Sequence, residues 1–266
     1  MLDAILFAIP LPAHHGGMTD PLQHYHQQLR CSAAQIDTTF WRNPTGVTIP
    51  DDELAFLLVP DAAHAMAVTE LAVDVNRFQQ EAGPDNAITA ALIATMGGML
   101  PGILLHDHLV HGRPAGSARM AFGTIGVSLY KGPNERYDQP RVQEAASINI
   151  AGENVLIIDD LGDRGGTLAF LRDHLVQHRA RHVMTLALYM KPQALAACPV
   201  DFHFGEVEQH TWIITPRELV ETLTKRVPVW RGRGADQAEC RRRLVELIGY
   251  PAAVADRYLP LVFNAS

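Results

Sequence analysis

The sequence predicts an α/β fold in which a parallel sheet is flanked by helices. Three apolar runs with the length of strands, Ile88–Thr95, Val155–Ile158 and Val183–Tyr189, alternate with segments of helical periodicity. Strands that are almost entirely apolar are typical of a sheet covered on both faces, and strand–helix alternation is typical of parallel pairing. Glycine-containing turns follow the first two runs. Because ligands bind at the carboxyl ends of parallel strands, we expect the chemistry to lie at these two turns.

The remaining elements follow from periodicity and from the positions of glycine and proline. Helices are expected at Ala65–Gln80, in a stretch ending at Val110, and at Leu168–Gln177, Glu218–Lys225 and Gln237–Ile248, and further strands at Ala121–Tyr130 and Phe202–Phe204. In the last helix we expect Arg241–Arg243 on the solvent side. The polar segment Lys131–Arg141 contains Gly132, Pro133 and Pro140, so we expect a mobile loop there.

The pattern divides the chain into three parts. Residues 1–60 are irregular and rich in proline and glycine, so they are expected to form an N-terminal extension. Residues 61–227 contain the strand–helix alternation and form the main domain. Residues 228–266 are expected to form a C-terminal helical tail.

Composition favours a folded protein without a general nucleic-acid surface. Hydrophobic residues make up 47% of the 266 residues, which permits a sizeable core. The net charge of −7 comes with no long run of lysine or arginine, so binding to a phosphate backbone is not expected. Three widely separated cysteines favour a reducing cytoplasm. The apolar run Ala4–Pro12 is too short to span a bilayer and has no basic flank, so we expect neither a secretory signal nor a membrane anchor.

The segment 155–167, which reads VLIIDDLGDRGGT, carries the clearest chemical signal. An apolar strand delivers Asp159 and Asp160 to its end, and a glycine turn then opens directly into a helix. Backbone N–H groups in such a turn and at a helix N-terminus bind anions, and Gly165 and Gly166 let the main chain approach a phosphate. The carboxylates suit ribose hydroxyls or Mg²⁺. Together these features predict a ribose 5-phosphate site.

The alternative interpretation of this segment is an ordinary strand–turn–helix with acidic caps. Paired aspartates at strand ends are common, but the order of four apolar residues, three acids, two glycines and a threonine favours the nucleotide site. Two other phosphate-binding patterns are excluded, because neither a Gly-Lys-Ser/Thr sequence nor a Gly-x-Gly-x-x-Gly sequence is present here.

The segment resembles the PRPP-binding motif of type I phosphoribosyltransferases, most closely those of the 6-oxopurine branch. The resemblance extends in order over about Ala65–Pro216, and three weaker motifs support it. The first is Thr95–Gly102, which is similar to the family's pyrophosphate loop. The second is Ser128–Tyr130, which is similar to the start of its flexible loop. The third is Lys191–Pro192 together with Thr211–Pro216, which is similar to its purine-contacting strand end and hood. The resemblance implies the type I phosphoribosyltransferase fold with a small hood and an N-terminal extension.

The resemblance also implies a role for individual residues. Asp159 and Asp160 would hold the ribose hydroxyls and Mg²⁺, and Asp163 would act with them as a catalytic residue facing N7 of the base. The 5′-phosphate would be wrapped by Asp163, Arg164, Gly165, Gly166 and Thr167, and the pyrophosphate loop would consist of Met96, Gly97 and Gly98. The base would be contacted by Lys191, Trp212 and Ile213. The flexible loop would include Ser128 and Tyr130. The implied activity is Mg²⁺-dependent transfer of the phosphoribosyl group of PRPP to a purine-like base, by a dimer or tetramer.

Two positions depart from the family pattern. Met96 stands where the family usually has a basic or polar residue, so either a charged contact to pyrophosphate is lost or backbone amides serve in its place. Arg164 stands where threonine is usual, and it either clamps the phosphate or closes the pocket against a neighbouring acid. The departures leave two other hypotheses open, a non-catalytic regulator that binds PRPP or a nucleotide, and a transferase for a pyrimidine or modified base.

Three histidines on the predicted helix that ends at Val110 offer a further hypothesis. His108 and His111 share a helix face, which is geometrically suitable for a metal ion. No third ligand stands at a suitable spacing, so a solvent-exposed face is the simpler interpretation.

Overall fold

The computed structural model describes residues 20–132 and 135–265, with the backbone alone at residues 129–132 and 135–139. The apolar run Ala4–Pro12 lies outside the described residues. Within these ranges, no helix combines the length and the apolar character needed to cross a bilayer.

Strands and helices alternate through most of the described chain. The strands are β1 (Val47–Thr48), β2 (Ala55–Leu58), β3 (Ala90–Thr95), β4 (Ala121–Gly132), β5 (Glu135–Glu144), β6 (Asn154–Gly162), β7 (His182–Met190), β8 (Phe202–Glu206) and β9 (Thr211–Ile214). The helices are α1 (Pro21–Leu29), α2 (Thr38–Arg42), α3 (Asp61–Ala82), α4 (Met99–His111), α5 (Gly166–Gln177), α6 (Pro192–Ala197), α7 (Leu219–Gly232), α8 (Gln237–Arg242) and α9 (Ala252–Asn264). Short 3₁₀ turns cover Ala33–Gln35 and Pro216–Glu218, and a π-helical turn covers Arg243–Ile248.

The main sheet confirms the predicted fold class. Its strand order within the described residues is β5–β4–β3–β6–β7–β8, and neighbouring strands from β4 to β8 run parallel. Side chains of β6 alternate between two cores: Leu156 and Ile158 share one with α3 and α4, whereas Val155 and Ile157 share the other with α5. Burial on both faces explains why these strands are apolar throughout.

The order of the strands places a crevice between β3 and β6. The chain leaves β3 through α4 and enters β4 on one side, while β6 pairs with β3 on the other side. The carboxyl ends of β3 and β6 therefore meet where the strand order reverses, which is the ligand-binding position in open α/β sheets.

A second, smaller sheet has the order β1–β2–β9 and forms the hood. Strand β2 pairs in parallel with β9, with Phe56 opposite Trp212 and Leu58 opposite Ile214. Residues of α1, α7, α8 and α9 share the core of this sheet. The hydroxyl of Tyr25 in α1 ties these parts together, because it donates to the carbonyl of Ile248 at 3.0 Å and accepts from the N–H of Leu58 at 2.9 Å.

The expected loop at Lys131–Arg141 is instead part of a strand pair. Strand β4 extends to Gly132, and β5 begins at Glu135 and runs antiparallel to β4 with several shifts of register. Strand β5 lies at the edge of the sheet. An edge strand pairs on one side, so it tolerates Pro140 and a polar sequence.

The prediction for Arg241–Arg243 is wrong at its last residue, because Arg243 is buried. Its side chain is 5% exposed, Nε donates to Glu239 Oε1 at 2.8 Å, and the guanidinium lies over the Trp230 ring. Arg243 stands three residues after the buried Cys240, so α-helical spacing places both on the core face rather than on the solvent side.

A buried ion pair connects the first sixty residues to α7. The carboxylate of Asp52, which is 0% exposed, accepts hydrogen bonds from Arg226 Nη2 and Trp230 Nε1, both at 2.6 Å. Burial alone would raise the pKa of Asp52, but these hydrogen bonds and the N–H of Leu54 together lower it. The charged form of Asp52 is therefore the form that the fold stabilises.

A second buried polar group, His64, lies on the core face of α3. Its side chain has no hydrogen-bond partner for Nε2 among the described residues. Burial lowers the pKa of His64 from 6.5 to about 4. The unfolded chain therefore binds a proton below pH 6.5 that the folded protein does not bind until about pH 4, and stability falls across this range as the pH falls.

We expect Asp52→Asn to lower the free energy of unfolding by about 3–5 kcal/mol, because it leaves the buried guanidinium of Arg226 without a counter-charge. The neighbouring Asp51→Asn is the matched control. Asp51 is 74% exposed, has a φ of 56° that asparagine tolerates, and lies 3.8 Å from Arg243, which keeps its hydrogen bond to Glu239, so we expect a loss of at most about 1 kcal/mol. Urea denaturation of both variants measures the difference, and equal losses would contradict the role of the buried pair.

We expect His64→Leu to flatten the pH dependence of the unfolding free energy between pH 6.5 and 4, by up to about 3 kcal/mol. Urea denaturation at pH 7 and pH 4.5 measures this change. The variant His108→Leu, at an exposed position of α4, should keep the wild-type difference between the two pH values. An unaltered difference in His64→Leu would show that another group titrates in this range.

Candidate active site

Two adjacent aspartates lie at the carboxyl end of β6. Strand β6 extends past both residues to Gly162, and the side chain of Asp160 is 12% exposed. The backbone N–H of Asp160 donates to Asp159 Oδ1 at 3.0 Å. Burial and the neighbouring charge of Asp160 raise the pKa of Asp159 well above its ordinary value, and burial also raises that of Asp160, although Arg217 opposes this. The two acidic groups therefore stand side by side at the crevice, where burial disfavours their charged forms.

The turn after β3 packs directly against this pair. A Cβ added at Gly97 would collide with the carboxylates of both Asp159 and Asp160, and one added at Gly98 would collide with the carbonyl of Ile158. The backbone of the predicted pyrophosphate loop can reach the acids only because these two residues are glycines. The side chain of Met96 is 62% exposed and brings no charge to the loop.

The predicted phosphate loop, residues 163–167, joins β6 to α5. Gly165 has a φ of 76°, and a Cβ there would lie 2.9 Å from the carbonyl of Ala194, so conformation and space both favour glycine. Helix α5 begins at Gly166, whose built Cβ position has open space around it. The first N–H groups of a helix have no intrahelical partner, so this end is suited to a phosphate. Arg164 is exposed beside it.

A cavity of about 420 Å³ opens between this loop and the hood. Its lining includes Asp163, Arg164, Lys191, Trp212, Ile213 and Glu218. Lys191 follows β7, is 8% exposed, and its Nζ lies 2.8 Å from Asp163 Oδ1. Residues of the predicted phosphate loop and the residue that follows β7 therefore line one pocket.

Trp212 is held from the side of α7. Its Nε1 donates to Thr222 Oγ1 at 3.0 Å, and the guanidinium of Arg226 lies over the indole ring at 5.8 Å from the centroid. Since Arg226 is also the partner of Asp52, the buried ion pair described above stands behind the tryptophan. The ring is thus fixed before any ligand arrives.

Arg217 is the site residue that the sequence analysis missed. It lies in the 3₁₀ turn after β9, and its Nη2 is 3.8 Å from Asp160 Oδ2 and 2.9 Å from Glu218 Oε1. A signal was present, because Thr215 and Glu218 have the spacing of a capping box and do form one. That pattern predicts a turn at Arg217, but it does not reveal which carboxylates the turn faces.

Two other sets of predicted residues lie elsewhere in the fold. Ser128 and Tyr130 belong to β4, where Ser128 is in register with Arg141, and the side chain of Tyr130 lies outside the described residues. The histidines of α4 are exposed, and His106 Nδ1 lies 2.8 Å from Asp107 Oδ1. Over the described ranges no three histidine, cysteine or acidic side chains are grouped as metal ligands.

The acid pair nevertheless has the chemistry of a partial Mg²⁺ site. Carboxylate oxygens are the ligands that Mg²⁺ prefers, and it is usually bound by one or two carboxylates together with substrate phosphates and water. Burial raises the pKa of both Asp159 and Asp160, and the neighbouring charge of Asp160 also raises that of Asp159 by repulsion. A divalent cation would relieve that repulsion, so these two residues fit the metal that the resemblance implies.

Comparison with known proteins identifies relatives of this chain by sequence. No family model matches the sequence. The xanthine-guanine phosphoribosyltransferase of Cereibacter sphaeroides is 30% identical over 154 residues, which cover 57% of this chain and 80% of that protein. The enzyme of the same name from a Ruegeria species is 32% identical over 143 residues, covering 52% of this chain and 73% of that protein.

Among solved structures, the purine phosphoribosyltransferase from Pyrococcus horikoshii is 19% identical, with a TM-score of 0.48, and the match covers 60% of this chain and 92% of that one. The sequence relatives carry the assignment, since the match to the Cereibacter protein extends over 80% of its length. This chain belongs to the xanthine-guanine phosphoribosyltransferase family.

Proposed function

We propose that this protein transfers the phosphoribosyl group of PRPP to a 6-oxopurine base and releases pyrophosphate. The observation that carries the proposal is the pairing of Lys191 with Asp163 at 2.8 Å in the cavity beside Trp212. This arrangement brings a cationic donor, an acidic acceptor and an aromatic face to one pocket. The glycine turn that opens α5 lies next to it.

The base would bind between Trp212 and the Lys191–Asp163 pair. The indole face would stack on the purine, which is worth about 1–3 kcal/mol for a nucleobase. The ammonium group of Lys191 is a point donor suited to the 6-oxo oxygen. The carboxylate of Asp163, whose side chain is 53% exposed, would accept or return a proton at N7 as the base changes charge.

The ribose and its phosphates would occupy the crevice between β3 and β6. Asp159 and Asp160 would accept hydrogen bonds from the ribose hydroxyls, and residues 163–167 would surround the 5′-phosphate at the start of α5. Mg²⁺, when bound by the acid pair and the substrate, supplies positive charge that stabilises the departing pyrophosphate. As the bond from C1 to pyrophosphate breaks, the bond from C1 to the base nitrogen forms, so holding that nitrogen in line is the main task of the protein.

A regulator that binds PRPP without turnover is the second candidate. The observation in its favour is the uncharged, exposed side chain of Met96 in the pyrophosphate loop. The same experiment distinguishes the two candidates, because it measures binding and turnover separately.

We expect nucleotide formation from PRPP, Mg²⁺ and one of hypoxanthine, guanine or xanthine, but not from adenine, uracil or orotate. Lys191→Met removes the donor to the 6-oxo group and should lower kcat/KM by about 10- to 100-fold. Lys225→Met is the matched control at an exposed position of α7 and should keep the wild-type value. Asp160→Asn should lower kcat by about 100-fold or more.

The outcomes separate the candidates. Unaltered base selectivity in Lys191→Met would contradict the purine assignment. PRPP binding that requires Asp160, without turnover of any base, would favour the regulator.

We expect Asp159→Asn to raise the melting temperature of the free protein by roughly 2–6 °C near pH 8, because it removes a buried charge that repels Asp160. Burial and Asp160 raise the pKa of Asp159, so in the wild type protonation relieves the repulsion as the pH falls through that raised pKa. The gain in stability should therefore shrink toward pH 4. Calorimetry at several pH values measures it, with the exposed Asp173→Asn as control, and a variant less stable than wild type near pH 8 would contradict the expectation.

A further inference from the structure

Positive charge reaches the acid pair from the hood. Among the ion pairs that the structure describes, the one that involves Asp159 or Asp160 is made by Arg217, at 3.8 Å from Asp160 Oδ2. This distance is too long for a hydrogen bond, so the guanidinium attracts the carboxylate electrostatically while no hydrogen bond joins them. Arg217 also lowers the pKa of both aspartates against the effect of their burial.

We propose that Arg217 binds the pyrophosphate group of PRPP and supplies the charge that the loop at Met96 lacks. The inference rests on the proposed function, in which pyrophosphate leaves from the crevice lined by Gly97 and the acid pair. Pyrophosphate is a polyanion, and at this position two carboxylates add to the repulsion. A guanidinium beside the carboxylates offsets that repulsion and donates several hydrogen bonds to phosphate oxygens.

The side chain of Arg217 is preoriented for this role. Its side chain is 28% exposed, Nη2 donates to Glu218 at 2.9 Å, and Nη1 donates to Glu221 at 3.2 Å. Glu218 is fixed in turn by the capping box with Thr215. Little side-chain entropy remains to be lost when such an arginine binds an anion.

One donor of this guanidinium is left without a partner. The Nε of Arg217 is buried and has no hydrogen-bond acceptor among the described residues. An unpaired buried donor destabilises a fold. A small movement of the side chain toward a phosphate oxygen would give this Nε an acceptor. Glu218 and Glu221 already hold the other two nitrogens, so their ion pairs alone do not account for the unpaired Nε.

The opposite role for Arg217 predicts the opposite result. If the guanidinium only neutralised Asp160 in the free protein, it would have to leave before Mg²⁺ and PRPP could bind, and removing it would strengthen their binding. The sign of the change in affinity therefore decides between a binding residue and a competing one.

The test is calorimetric titration of the full-length protein with pyrophosphate in the presence of Mg²⁺, and separately with GMP. In Arg217→Gln we expect pyrophosphate affinity to fall and the KM for PRPP to rise by about 10- to 100-fold, because charge-assisted hydrogen bonds are lost. GMP affinity should stay within about twofold, because the base and 5′-phosphate sites do not include Arg217. Arg77→Gln, which removes a surface arginine paired with Asp74 on α3, should change none of these values.

A second variant tests the same role of Arg217 if glutamine disturbs the turn. Adding Met96→Lys to Arg217→Gln returns a cation to the exposed loop position and should restore part of the lost pyrophosphate affinity. If the wild type binds GMP and pyrophosphate, and Arg217→Gln binds pyrophosphate equally well or more tightly, the role of Arg217 is overturned. The proposed function is not affected by that result. A wild type that binds neither ligand and turns over no base would overturn both.

Discussion

The site depends on one close approach, that of the backbone at Gly97 and Gly98 to the end of β6. A side chain at either glycine would collide with Asp159, Asp160 or the carbonyl of Ile158. Since β3 and β6 are parallel neighbours, this contact brings a main-chain turn and two carboxylates to the same edge of the sheet. The elements that carry the phosphate loop and the hood are arranged around it. The arrangement concentrates negative charge in a partly buried crevice, which stability alone does not favour.

The cavity wall at Trp212 is supported by residues that lie far apart in the sequence. Trp212 lies in β9, but its partners Thr222 and Arg226 come from α7, and Asp52 anchors Arg226 from the first sixty residues. A tryptophan fixed by a hydrogen bond and a stacked guanidinium loses little freedom when a base stacks on it. The segments without a counterpart in the family resemblance thus contribute to the proposed base site through packing rather than through contact with the base.

The predictable part of the protein is the part whose chemistry is local in sequence. Residues 155–167 contain the strand, the acids, the glycine turn and the helix start within thirteen consecutive positions, so their spacing alone indicates the site. The pairing of β2 with β9 brings together Phe56 and Trp212, and no periodic pattern reveals a contact of such sequence separation. Arg243 was misplaced for another reason: three consecutive helical residues cannot all share one face, and Arg243 lies on the face of the buried Cys240.

Acidic side chains hold the two cations of the site in the free protein. The site is therefore preorganised without leaving either cation unpaired. Lys191 pairs with Asp163 on the side of Trp212, and Arg217 pairs with Glu218 beside Asp160. Each cation is thereby oriented without a ligand, at the cost of a competing carboxylate. A ligand oxygen that replaces or joins the carboxylate keeps the charge of the cation compensated, so binding does not have to bury an unpaired charge. Under the proposed function, ligand binding would therefore exchange the partners of these cations rather than create new charge pairs.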